Sequence, residues 1–129
     1  MFCFFVLLFL PNRPKNFTIG RDVTLLGIDK LKIGNNVYFA KGTWINALGS
    51  VTIEDEIMFG PYVVLVSTKH TMKNHSVYNG SSEFKKVFIG KGTWISSHCT
   101  IASGVSIGSG CIVAANSVVS KDIKDYTLA

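Results

Sequence analysis

Between Ile89 and Lys124 the apolar positions of the sequence recur every six residues without interruption. The aliphatic residues at this spacing are Ile89, Ile95, Ile101, Ile107, Val113 and Val119. Four residues after each comes a small or β-branched residue, namely Thr93, Cys99, Val105, Cys111, Ser117 and Ile123. Neither the helical period nor the strand period gives this spacing. The hexads therefore predict a parallel β-helix, in which three hexads form one coil and each hexad is a short strand followed by a turn.

The same pattern is present, less regularly, in the first half of the chain. Its apolar positions are Ile19, Leu25, Ile33, Phe39, Ile45, Ile53, Phe59 and Leu65, with two extra residues before Ile53. Val51 and Val87 each stand two positions before an aliphatic residue of the repeat, which predicts longer strands there. The run Lys-Gly-Thr-Trp-Ile occurs at residues 41–45 and again at 91–95. This internal repeat favours one solenoid over two domains.

The hexad frame breaks between about residues 69 and 86, where polar side chains occupy the positions that a core would need. We expect one loop to protrude from the solenoid here, and long excursions from a regular scaffold are often functional. The predicted fold is all-β, a single-stranded parallel β-helix of about five coils with one protruding loop.

Residues 1–10 form an almost wholly apolar run that Pro11 and Pro14 end. Ten residues are too few to span a bilayer as a helix, which needs about 20, and the run lacks the basic start and cleavage site of a secretory signal. Three interpretations stay open: a cap over the open end of the β-helix, a foot on a membrane surface, or the remainder of a longer chain. The expected organisation is an N-terminal cap or stump (1–15), a β-helix (16–125) and a truncated tail (126–129).

The chain of 129 residues carries a formal charge of +5, but its basic residues are scattered. This distribution favours a phosphate-bearing cofactor over a nucleic acid, and no nucleic-acid-binding motif is present. The three cysteines show no metal-type spacing. Cys99 and Cys111 fall on small core positions of the hexads, so we expect buried thiols and a reducing, cytoplasmic location, with residues 1–10 as the one possible membrane contact.

Three segments carry a resemblance to a known family: residues 89–95, 104–108 and 117–123. They resemble the hexapeptide-repeat acyltransferases, and most closely the maltose, galactoside and polysaccharide O-acetyltransferases. The resemblance implies a left-handed β-helix and a homotrimer with active sites between subunits. It also implies acetyl-CoA as co-substrate and a hydroxyl of a sugar or polysaccharide precursor as acceptor, within polysaccharide biosynthesis.

Transfer of an acetyl group to a hydroxyl needs a general base, because a neutral hydroxyl is a poor nucleophile. Histidine is the side chain whose pKa suits this work near neutral pH. His70 stands where the solenoid meets the predicted loop, and the segment from Ile33 to Trp94 follows the galactoside and maltose branch without a gap. The resemblance therefore implies that His70 is the catalytic base.

The resemblance also assigns binding residues. Those expected to contact the pantetheine arm and the nucleotide end of CoA are Ser97, Ala102, Ala115, Ser120 and Lys121. Those expected on the acceptor side are Trp94, Asn46 and Asn79. Ala40 stands where the galactoside and maltose branch has Asn, and Leu48 stands where it has an acidic residue. We therefore expect an acceptor other than galactoside or maltose.

Two other functions remain as alternatives. The spacing of His70 and His75 fits two zinc ligands of a γ-class carbonic anhydrase, but a catalytic zinc needs three protein ligands and no histidine precedes His70. No metal is therefore expected. The second alternative is a non-catalytic or truncated β-helix that serves as a binding or scaffold module.

Overall fold

The structure is a computed structural model and describes residues 6–129. Sixteen short strands wind one after another along the chain. They are β1 (Phe17–Ile19), β2 (Thr24–Leu26), β3 (Leu31–Ile33), β4 (Val37–Phe39), β5 (Trp44–Asn46), β6 (Val51–Ile53), β7 (Met58–Phe59), β8 (Val64–Val66), β9 (Thr68–His70), β10 (Ser82–Phe84), β11 (Val87–Ile89), β12 (Trp94–Ile95), β13 (Thr100–Ile101), β14 (Ser106–Ile107), β15 (Ile112–Val113) and β16 (Val118–Val119). One 3-10 turn, Ile28–Lys30, precedes β3.

Fourteen of these strands form three parallel sheets that run along the solenoid. Sheet 1 has the strand order β1-β4-β7-β12-β15, sheet 2 the order β2-β5-β8-β13-β16, and sheet 3 the order β3-β6-β11-β14. Each coil contributes one strand to each sheet, so the chain makes about five turns. The predicted fold class is confirmed, and the solenoid is consistent with the left-handed β-helix that the resemblance implied.

The core consists of aliphatic and aromatic side chains stacked from coil to coil. In sheet 3, Ile33 lies beside Ile53, Ile53 beside Ile89 and Ile89 beside Ile107. The rings of Phe17, Phe39 and Phe59 stack in sheet 1, with centroids 5.3 and 5.0 Å apart. Every hexad aliphatic from Ile89 to Val119 is buried, as predicted. Val51 and Val87 are buried too, and they begin three-residue strands as expected.

Polar groups inside the solenoid have partners. The buried Thr93 hydroxyl donates to the Gly108 carbonyl at 2.9 Å and accepts from the Cys111 amide at 3.1 Å. Cys99 and Cys111 are free and buried, as expected from their hexad positions. Asn36, Asn116 and other corner residues adopt positive φ, a conformation that Asn and Asp tolerate better than most side chains.

The predicted loop leaves the solenoid between sheets 2 and 3 and is an antiparallel hairpin. Strands β9 and β10 pair with Ser82 opposite His70 and Phe84 opposite Thr68. We call residues 68–84 the hairpin. The sequence predicted an excursion here but not the pairing. The solenoid resumes at Val87, as predicted.

Residues at the N-terminal end lie over the first coil. Val6 and Leu10 are buried and belong to the core cluster, and Leu7 packs against it. The Asn12 side chain donates to the Ile33 carbonyl at 2.6 Å. Residues 1–5 of the expected cap lie outside the described residues. Within residues 6–129, no helix has the length and apolar character needed to cross a membrane.

Candidate functional site

The hairpin places His70 at the end of β9, exposed to solvent. The register of β9 and β10 brings Ser82 opposite His70, and Ser82 Oγ lies 3.3 Å from His70 Nδ1. If Nδ1–H donates to the hydroxyl, Nε2 keeps a free lone pair that faces away from the hairpin partner. This arrangement suits an imidazole that accepts a proton through Nε2.

Ser82 is a residue that the sequence reasoning missed. It stands twelve positions after His70 in a polar segment, and no periodicity marks it. Only the antiparallel register brings the two side chains together, since a shift of one residue would turn Ser82 to the other face of the ladder.

The base of the hairpin is fastened to the preceding coil by Asn46. Its Nδ2 donates to Thr68 Oγ1 at 3.2 Å, and its Oδ1 accepts from the Leu48 amide at 3.0 Å. Ser67 Oγ donates to the Asn46 carbonyl at 2.7 Å and accepts from the Gly49 amide at 2.8 Å. Asn46, expected to bind the acceptor, therefore holds the strand that carries His70 and keeps one amide hydrogen for another partner.

Charged side chains lie across the hairpin from one another. Glu83 Oε2 is 3.4 Å from Lys69 Nζ and 3.8 Å from Lys85 Nζ, and all three side chains are partly exposed. The aliphatic part of Lys85 lies over Gly104 of the next coil. These contacts join both hairpin strands to the solenoid.

Asn79, another expected acceptor residue, is exposed near the tip of the hairpin. It lines a depression of about 440 Å³ together with Thr71, Lys73 and Ser81. Thr71 follows His70 directly in the chain, but His70 itself is not among the residues that line the depression.

The five residues expected to bind CoA fall on two corners of the solenoid, one on each side of sheet 2. Ser97 and Ala115 lie between sheets 1 and 2 in consecutive coils, where the Asn116 amide donates to the Ser97 carbonyl at 3.0 Å. Ala102 and Ser120 follow the paired residues Ile101 and Val119 and lie between sheets 2 and 3, with Lys121 next to them.

The hairpin stands on the second of these corners. Leu65 pairs with Ile101, so Val66, from which the chain enters the hairpin, stacks on Ala102. The hairpin that carries His70 thus starts at the corner that holds Ala102, Ser120 and Lys121. None of the five expected CoA contacts is buried. The corner of Ser97 and Ala115 is separated from His70 by the strands of sheet 2.

Trp94 lies on the outer face of sheet 1 and is 49% exposed. Its neighbours in the ladder are Met58 and Ile112. At the adjoining corner, the rings of Tyr62 and His98 lie 5.2 Å apart, a contact that no sequence pattern indicated. Trp94 therefore accompanies Ser97 and Ala115 rather than His70 within one chain.

A metal site has no support among the described residues. Within residues 6–129, no group of three or more His, Cys, Asp and Glu side chains is placed to hold a metal ion. The carbonic anhydrase alternative needs three such ligands, and His75 lies in a turn of the hairpin with φ of 55°.

Comparisons with known proteins agree with the repeat. Residues 86–121 match the family model described as bacterial transferase hexapeptide (six repeats). The chain is 34% identical over 116 residues to the galactoside O-acetyltransferase of Escherichia coli (strain K12), a match that spans 90% of this chain and 53% of that protein. The chain thus spans about half the length of the curated relatives it matches.

Solved structures show the same fold. A galactoside acetyltransferase in complex with coenzyme A superposes with a TM-score of 0.75 and 32% identity, covering 84% of this chain and 58% of that one. A hexapeptide-repeat acetyltransferase complexed with acetyl coenzyme A from Vibrio cholerae gives a TM-score of 0.87 at 21% identity, covering 93% and 66%; at that identity the likeness concerns the fold alone. The comparisons confirm the predicted resemblance: the chain carries the bacterial transferase hexapeptide repeat over residues 86–121 and is similar in sequence to galactoside O-acetyltransferases.

Proposed function

We propose that this protein is an acetyl-CoA-dependent O-acetyltransferase that acts on a hydroxyl of a sugar or polysaccharide precursor, with His70 as general base. The similarity to a galactoside O-acetyltransferase over 90% of the chain carries the proposal. The position of His70 supports it, because His70 is exposed on a hairpin that starts at the corner of Ala102, Ser120 and Lys121.

In this mechanism His70 Nε2 removes the proton of the acceptor hydroxyl while the hydroxyl oxygen bonds to the thioester carbonyl carbon. The carbon–sulfur bond then breaks, and the imidazolium returns the proton to the departing sulfur, which leaves as the thiol. Ser82 Oγ accepts a hydrogen bond from Nδ1–H, which holds the tautomer with Nε2 free and stabilises the imidazolium formed during the reaction. Proton and acetyl group are both accounted for without a metal.

The small side chains at the two corners fit the pantetheine arm and the nucleotide of CoA. Ser97, Ala102 and Ala115 leave the backbone open to close approach, and Lys121 supplies a positive charge for a phosphate. Ser120 and Lys121 line a surface depression of about 300 Å³ at the end of sheet 2.

The division of these residues between two corners supports a site built from two copies of the chain. The corner with Trp94, Ser97 and Ala115 of one copy would face the corner with His70 and Ala102 of the next. In a closed ring of identical subunits this contact is repeated between each neighbouring pair, so every subunit has both of its corners in contact. We therefore propose a homotrimer, the assembly that the family resemblance implies.

An exposed apolar stripe supports this assembly. The outward side chains of sheet 1 stack in register from coil to coil, and five of them are large, apolar and exposed: Tyr38, Met58, Trp94, Ile112 and Leu128. Contiguous apolar patches of this kind mark contact surfaces in soluble proteins. Light scattering of the purified chain tests the proposal, and a monomer at micromolar concentration would contradict it.

The activity is tested by following release of the CoA thiol from acetyl-CoA with a panel of mono- and oligosaccharides. We expect His70→Ala to lower kcat by about 10²- to 10⁴-fold, the usual contribution of a positioned general base. His75→Asn is the matched control, because His75 is exposed in the same hairpin and Asn tolerates its positive φ. Equal rates for the His70→Ala variant and the control would remove His70 from the mechanism.

Acetyl-CoA binding, measured by calorimetry without acceptor, separates activity from binding. We expect weaker binding after Lys121→Ala and unchanged binding after His70→Ala. If the chain binds no acetyl-CoA even at millimolar concentration, the alternative of a non-catalytic β-helix is favoured.

A further inference from the structure

The outer face of sheet 3 differs in character from that of sheet 1. Its outward positions are Lys32, Thr52, Phe88 and Ser106, which are neighbours in the ladder. Only one of these four is apolar, whereas the sheet 1 ladder is an apolar stripe. The outer face of sheet 3 therefore has the composition of a water-facing surface.

A groove of about 380 Å³ lies on this face and is lined by basic side chains. Lys30, Lys32 and Lys86 face it, against a single carboxylate, that of Asp29. The chain as a whole carries a formal charge of +5, so the groove concentrates much of that excess. Such a surface attracts anionic ligands.

The lysines of the groove form no ion pair within the described part of the chain. Lys69, Lys85 and Lys91 each lie within 4 Å of a glutamate. Among residues 6–129, by contrast, no acidic side chain forms an ion pair with Lys32 or Lys86. Lys30 Nζ has a backbone carbonyl, that of Leu48, at 3.4 Å.

The rest of the lining has the chemistry that binds sugars. Ser50 and Thr52 contribute hydroxyl groups, and Phe88 contributes a half-buried aromatic ring. A hydroxyl exchanges hydrogen bonds with a sugar hydroxyl, and the ring provides an apolar surface for the face of a pyranose. The ammonium groups add a preference for carboxylate or phosphate substituents.

The groove also lies within reach of His70. Lys86 stands four residues after Ser82, the residue paired with His70, and an extended strand of this length covers about 13 Å. A ligand of a few sugar units therefore spans the distance between the groove and the imidazole.

We propose that this groove is a binding site for an anionic saccharide, whose acidic groups contact Lys32 and Lys86 while an uncharged part of the same chain extends toward His70. The inference rests on the proposed function for the statement that this saccharide is the acceptor. The binding itself needs no acetyl-CoA and no turnover, so it is measured separately.

The test is an NMR titration of the whole chain with a tetrasaccharide of alternating glucuronate and N-acetylglucosamine. We expect the amide signals of Thr52 and Phe88 to shift, and the affinity to fall as salt rises from about 0.05 to about 0.3 M. The uncharged N-acetylglucosamine tetramer should bind more weakly, because it lacks the carboxylates.

Substitutions locate the site. Lys32→Gln with Lys86→Gln should weaken binding about fivefold, the loss expected for two exposed ion pairs. Lys41→Gln with Lys124→Gln removes the same charge from positions outside the groove lining and should leave the affinity within about twofold. Equal losses in the two double variants would overturn the proposal, and so would shifts confined to the hairpin.

A trinucleotide with the same number of negative charges distinguishes saccharide binding from general attraction of anions. Equal or tighter binding of the trinucleotide would overturn the assignment to a saccharide. Groove binding with no acetyl transfer to any acceptor would count against the proposed function alone. Transfer without groove binding would count against this inference alone.

Discussion

The solenoid and the hairpin are held by different forces although they are continuous in the chain. Each coil buries aliphatic side chains against the coils on either side, whereas no residue from 68 to 86 is buried. The hairpin is held instead by polar contacts, among them the Asn46–Thr68 hydrogen bond, the ion pairs of Glu83 and the strand ladder. Most of the buried apolar contacts thus lie in the solenoid, whereas the candidate general base, His70, lies in the hairpin.

The length of the chain between neighbouring core positions shows how the hairpin was accommodated. Leu25 and Ile33 are eight residues apart, as are Ile45 and Ile53, whereas Leu65 and Ile89 are twenty-four apart. Yet Val87 pairs with Val51 in the same register that Val51 has with Leu31. The hairpin is therefore an insertion that leaves the solenoid frame unchanged.

Replacing the hairpin by a short turn is the most direct test of whether activity and stability depend on different regions. Residues 68–86 are exchanged for Leu-Gly-Ser, the residues that follow Ala47, which restores the eight-residue spacing between Leu65 and Ile89. We expect acetyl transfer to fall to background, while the free energy of unfolding changes by less than about 1 kcal/mol because no buried residue is lost. Denaturant unfolding and the thiol-release assay measure the two effects, and a chain that no longer folds would contradict the division.

A core substitution should have the opposite result. Ile89 is fully buried between Ile53 and Ile107, and Ile89→Ala should lower the free energy of unfolding by about 2–5 kcal/mol, because it leaves a cavity in the stack. Val77→Ala in the hairpin, where Val77 is 58% exposed, is the matched control and should cost less than about 0.5 kcal/mol. Similar costs for the two substitutions would mean that the hairpin is part of the core.

The solenoid could be predicted from the sequence better than the hairpin, because the solenoid is held by a periodic apolar core and the hairpin by polar contacts. The hexads from Ile89 to Val119 specify their own inward positions, because each strand of a coil buries one large apolar residue. The buried positions of Val51 and Val87 could also be predicted, because each stands two residues before an aliphatic residue of the repeat. Periodicity also located the hairpin, but only as a break in the frame.

What lies inside the hairpin was beyond a periodicity argument. The pairing of Ser82 with His70 depends on an antiparallel register between polar strands, and polar strands carry no alternation that would fix it. The hydrogen bonds of Asn46 depend on a turn two residues longer than a hexad. The separation of Ser97 and Ala115 from His70 depends on which corner of the coil each residue occupies.

The contact between Ser82 and His70 gives a test within the hairpin itself. Ser82→Ala should lower kcat about tenfold, since an imidazole without its partner loses orientation and a favoured tautomer. Ser82→Thr retains the hydroxyl and should restore most of the rate. KM for acetyl-CoA and the unfolding midpoint should be unchanged in both variants, so an effect on either of them would indicate a structural role for Ser82 instead.

The ion pairs across the hairpin should have the smallest effect on kcat. Glu83 lies within 4 Å of Lys69 and Lys85, but its side chain is 43% exposed, and exposed pairs of this kind contribute about 0.2–1 kcal/mol because water and salt screen them. Glu83→Gln should therefore change kcat less than about twofold, and any effect should vanish at high salt. The measurement is kcat at about 0.05 M and about 0.5 M salt. A large loss that persists at high salt would show that the charges hold the hairpin in place, and that its position depends on more than the strand ladder and the Asn46 hydrogen bond.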